Sequence, residues 1–214
     1  MEVSKTRFPF WEITKINIRH NALFPILISI IICVVTPIMT GMENLDTSSE
    51  AAMPLEMFIS LVGVTMLIPV FQPEQNVEIN DLVSSKYFSA VKVYIVRILY
   101  SIALTALFVG LSALYMSMRN CEISALLVLG TIADAVFLGS LGILASAVCN
   151  NTVIGYMLPL LYYTVNIGVG SKLGNFYLFS MSVENYGPKV WLFITGITFI
   201  TLAIGCQKLR RLNM

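Results

Sequence analysis

Carboxylates are scarce in this sequence of 214 residues, and those set against apolar runs are the first candidates for chemistry. The stretch FQPEQNVEINDLVSSKYF, residues 71–88, carries Glu74, Glu78 and Asp81 between two long uncharged runs. The stretch is polar and helix-prone in a chain that otherwise avoids charge. One reading is a solvated connector, but a simple connector could be far shorter. Asp134 is the only charge between Ile123 and Ser171. A carboxylate within a membrane span marks a functional site by default; the other reading is a structural hydrogen bond or a protonated acid facing a neighbouring helix. Tyr162, Tyr163 and Asn166, farther along the same run, either line a path with Asp134 or simply pack.

Several other chemistries are disfavoured. His20 is the single histidine, which argues against a histidine-based metal site or triad within one chain. LGSLG at 138–142 resembles a serine nucleophile turn, but no histidine is at hand to activate Ser140. IGVGSKLG at 167–174 lacks the spacing of a phosphate loop. Cys33, Cys121, Cys149 and Cys206 are far apart, show no CxxC spacing, and read as small apolar packing residues. No cofactor or metal is expected in this chain. The net charge of +1 argues against a nucleic-acid partner.

The elements that position these residues follow from composition. The chain is 57% hydrophobic and 12% charged, with a mean hydropathy of +0.82. Soluble domains carry about 25% charged residues, so there is too little polar side chain here to cover a soluble surface. The fold class is all-α integral membrane, in a single transmembrane domain. A helix needs about 20 apolar residues to cross the bilayer core. On that measure six spans fall at about 22–41, 56–72, 95–118, 123–148, 152–168 and 190–207. Glu56 stands at the outer edge of span two, and CNNT at 149–152 separates spans four and five because Asn favours turns and caps. The first run lacks a cleavage-type exit and reads as a retained span.

Lys and Arg orient the spans. One side holds Lys5, Arg7, Lys15, Arg19, Lys86, Lys92, Arg97, Lys208, Arg210 and Arg211; the other holds Arg119, Lys172 and Lys189. Both termini and the 71–88 stretch are therefore expected in the cytoplasm, and the sequon at Asn150 is not read as a glycan site. Residues 8–20, FPFWEITKINIRH, have Glu12, Lys15 and Arg19 on one helical stripe, as an interfacial elbow helix would. Residues 169–189 hold a core, NFYLFSMSV, too apolar for a free loop and too short to span. They are expected to form short external or re-entrant helices.

This arrangement resembles the permease (transmembrane) subunit of ABC transporters of the type-2 exporter family. Four features carry the resemblance over essentially the whole chain. They are the elbow at 8–20, the loop F-x-P-E-Q-x-x-x-I-x-D-L-V-x-S-K before Ala90-Val91-Lys92, the tight pair LGSLGILASAVCNNTVIGYMLPLLYYTVN, and the apolar segment between spans five and six. The loop departs from the family where a Gly often follows the first Glu and Asn76 or Val77 stands here. The resemblance implies that 71–88 is a coupling helix, with Glu74, Glu78, Asp81, Leu82, Val83 and Lys86 meeting a separate cytoplasmic ABC ATPase subunit. It also implies a second permease copy or paralogue paired mainly through spans one and five, and a multi-pass bacterial cell membrane protein. This chain would not itself be an enzyme, because ATP and magnesium would sit on the ATPase. Apolar walls with scattered Tyr, Asn, Ser and Thr suit a hydrophobic or amphipathic substrate, and small type-2 permeases are often linked to antimicrobial peptide export. The competing readings are an ATPase-independent immunity protein or channel, and an intramembrane enzyme.

Overall fold

A computed structural model describes residues 22–43, 45–75 and 90–212. Among them there is no strand. Six helical segments are long and apolar enough to cross a membrane. The chain is thus a multi-pass helical bundle. The elbow stretch 8–20 lies outside the described residues, as do Glu78, Asp81, Leu82, Val83 and Lys86 of the coupling stretch; Glu74 is described in its backbone alone.

Helix α1 is Leu23–Thr40, closed by Gly41 at φ 61°. The second crossing is built in pieces. Helix α2, Ser48–Met57, is capped by Thr47, whose hydroxyl accepts from Glu50 N at 3.3 Å. A 3-10 turn at Ile59–Leu61 leads to α3, Val62–Leu67, and a second 3-10 stretch runs Ile68–Gln75. Pro69 and Pro73 lie in that last stretch. Each lacks the N–H of an i to i−4 bond, which favours the tighter winding. The crossing therefore begins at Ser48 and not near Met57, and Glu56 lies inside it.

Helix α4 is Ala90–Met118. Helix α5, Ala125–Cys149, is capped by Ser124, which accepts from Leu127 N. The chain reverses at Asn150, in the left-handed region at φ 51°. Asn151 caps α6, Thr152–Val169, by accepting from Val153 N at 2.8 Å. Two short 3-10 segments, Gly170–Phe176, which is broken at Gly174 (φ 56°), and Met181–Val183, precede α7, Gly187–Leu212. Leu178, Phe179 and Met181 from that connection are buried in the bundle.

Helix α5 is the hub, with α3, α6 and α7 against it. Of its most apolar stretch 72% is buried, against 17% for α1 and 17% for the segment containing α6. Small residues permit the close approach, since helices in lipid associate through packing rather than through a hydrophobic drive. A Cβ on Gly63 would meet the Ala135 carbonyl oxygen at 1.9 Å, so α3 and α5 touch backbone to backbone. A Cβ on Gly142 would stand 2.7 Å from Gly155 O, which brings α5 onto α6.

Candidate functional site: a buried charge triad

Three charged side chains meet inside the bundle. Glu56 comes from the last turn of α2, Asp134 from the N-terminal half of α5, and Lys189 from the first turn of α7. They are 1%, 0% and 5% exposed. Lys189 Nζ lies 2.7 Å from Glu56 Oε1 and 2.5 Å from Asp134 Oδ2, and it also donates to Leu178 O. Sequence spacing had put Lys189 outside the sixth span; the helix begins at Gly187 and carries it inside.

The two carboxylates are treated differently. Glu56 accepts from Met181 N at 2.8 Å, Ser182 N at 3.1 Å and Ser182 Oγ at 2.6 Å, besides Lys189. Asp134 receives Lys189 on Oδ2, while Oδ1 is buried without a hydrogen-bond partner. Ionised groups hydrogen-bonded in a low-dielectric interior are strongly held, and those left bare are costly.

The remaining sequence candidates converge on the same connection. Asn166 donates to Tyr162 O and accepts from Leu178 N at 2.8 Å. Tyr162 donates its hydroxyl to Phe176 O, and its ring meets Phe137 edge-on at 5.2 Å. Tyr163 donates to Met57 O at 2.6 Å and stacks edge-on with Phe179 at 5.4 Å. Burial pushes the Tyr177 phenol above its ordinary value, and the nearby Glu56 charge adds to the rise. Thus Asp134, Tyr162, Tyr163 and Asn166 lie around one polar seat for residues 176–183. Backbone that is not regular helix survives in such a place only when protein groups satisfy it, and Glu56, Asn166, Tyr162 and Lys189 do so.

Glu56 and Lys189 were not singled out as site residues from sequence. A signal was present: an intramembrane carboxylate calls for a cation, and Lys189 stands directly before the sixth apolar run. Arg119 instead pairs with Glu43 on the surface at 3.1 Å. Among the described residues, no group of three or more His, Cys, Asp or Glu side chains is placed to hold a metal ion.

No protein-family model, curated protein or solved structure matches this chain.

Proposed function

We propose that the chain is the permease subunit of an ATP-driven ABC exporter. Two such chains, or one and a paralogue, pair in the membrane, and separate ATPase subunits dock on the 71–88 stretch. ATP-driven closure of the ATPases pushes that stretch and rocks the spans. The substrate class is hydrophobic or amphipathic, with an antimicrobial peptide as the leading candidate. The cytoplasmic placement of both termini and of 71–88 follows from the Lys and Arg distribution.

The observation that carries the reading is the unequal burial of the spans. The two helices expected to form the dimer interface, α1 and α6, are the least covered segments of the bundle. Leu23, Phe24, Leu27, Ile31, Ile38 and Met39 on α1 are exposed, as are Val153, Met157 and Leu161 on α6. These apolar faces are free for a second copy.

The test is a tagged purification from the native host in mild detergent, with bound proteins identified and the stoichiometry measured. One ATPase per permease, in an assembly with two of each, supports the proposal. A clean protein without ATPase, under conditions that preserve other complexes, transfers support to an ATPase-independent immunity protein or channel.

A further inference from the structure

The triad holds two carboxylates against one ammonium. Counted with all three ionised, it carries one uncompensated negative charge on buried side chains. The other groups that face it do not cancel that charge. Tyr162 on α6 and Tyr177 in the connection before α7 bear on it only as phenols. Helix α3 has no titratable side chain. On α4, Arg97 is turned to Val70 O, and Arg119, just beyond that helix, is paired with Glu43.

We propose that Asp134 is a proton-binding site, occupied when residues 176–183 are seated. Oδ1 takes a proton from hydronium, an O–H bond forms, water leaves, and the triad's charge falls from −1 to zero. The proton is assigned to Asp134 from the donors that each carboxylate receives. Four donors surround Glu56: Met181 N, Ser182 N, Ser182 Oγ and Lys189 Nζ. Asp134 has one donor, on Oδ2, and its bare Oδ1 is fully buried. An isolated buried charge costs far more than a neutral hydroxyl in the same place. A metal ion at Oδ1 would face the ammonium of Lys189, which already holds the other oxygen of the same carboxylate.

The site is tied to the seat of the connection. Glu56 holds Met181 N and Ser182 N, and Lys189 holds both Leu178 O and Asp134. Unseating residues 176–183 strips Glu56 of three donors and lets water reach the triad. Asp134 then loses its reason to keep the proton. Closure and proton uptake are therefore linked, whether or not an ATPase partners the chain.

The sign follows from the proton count. The seated state binds one proton more than the open state, so seating is favoured as pH falls and opposed as pH rises. With one proton linked, the opening equilibrium rises by up to about tenfold per pH unit. The test is hydrogen exchange at the Met181 and Ser182 amides of the purified full chain in lipid nanodiscs. It is read across pH, corrected for intrinsic exchange, and repeated with sodium replaced by choline. Wild type is expected to lose protection as pH rises at that slope, independent of sodium, and Asp134→Asn, which mimics the neutral acid, to stay flat. Infrared spectra of wild type at neutral pH supply a readout that needs no variant: a protonated-carboxyl C=O band supports the site. A flat wild-type exchange profile, a sodium-dependent and pH-independent one, or the absence of that band overturns it.

Discussion

Lys189 Nζ stands 2.7 Å from Glu56 Oε1, joining the start of α7 to the end of α2 across the bundle. That pair ties two helices to each other and, through Leu178, to the connection that precedes α7. It makes this end of the molecule one hydrogen-bonded unit, and most of the consequences below are local to it.

Lys189→Met removes the cation and leaves Glu56 and Asp134 facing one another. Breaking a buried ion pair by deleting one partner costs about 3–5 kcal/mol. Asp134→Asn keeps the shape and is expected to cost about 1 kcal/mol or less, the net worth of an ordinary hydrogen bond. Thermal unfolding in detergent should rank the variants in that order; equal melting temperatures would count against the triad as a structural tie.

Asn166→Leu should act on a single amide first. It deletes the acceptor of Leu178 N, and an unsatisfied buried donor costs about 1–3 kcal/mol. Exchange at Leu178 should accelerate while that of the α5 core stays slow. Unchanged exchange at Leu178 would mean that Asn166 is not what holds the connection.

Gly63→Ala tests the contact between α3 and α5. The added methyl would meet backbone, Ala135 O at 1.9 Å, and not a movable side chain. Overpacking of this kind costs about 1–3 kcal/mol. Gly110→Ala on α4 is the control, with nothing within 4 Å of its Cβ. It should be neutral or stabilising by about 0.5–1 kcal/mol, because Ala is the better helix former. Similar melting temperatures for the two variants would refute the close packing.

The coupling proposal has its own test. Glu74→Gln, Glu78→Gln and Asp81→Asn together should abolish ATPase association at physiological salt while leaving the melting temperature within a few degrees of wild type. The measurement is co-purification at fixed detergent and salt. A triple variant that keeps full association and transport would remove these carboxylates from the coupling role.

The sequence by itself determined the class of molecule and the rhythm of its crossings. A chain that is 12% charged cannot cover a soluble surface, and long uncharged runs must cross as helices because lipid offers the backbone no partner. The break at Asn150 and Asn151 was legible for the same local reason: one residue adopts the left-handed turn and the next caps a helix. Asp134 was legible as an anomaly, a charge where charge is costly. What only the tertiary structure decided was its company. Glu56 and Lys189 sit at the ends of apolar runs, where a reading along the chain places them at the water boundary. Their burial depends on α2, α5 and α7 meeting with 176–183 folded over them, and that is a matter of packing at long sequence separation. For Tyr162, Tyr163 and Asn166, spacing told that three polar groups lie along one helix. The packing turned them to the backbone of residues 176–178 and Met57, because that backbone, removed from water, needed partners and these side chains were within reach.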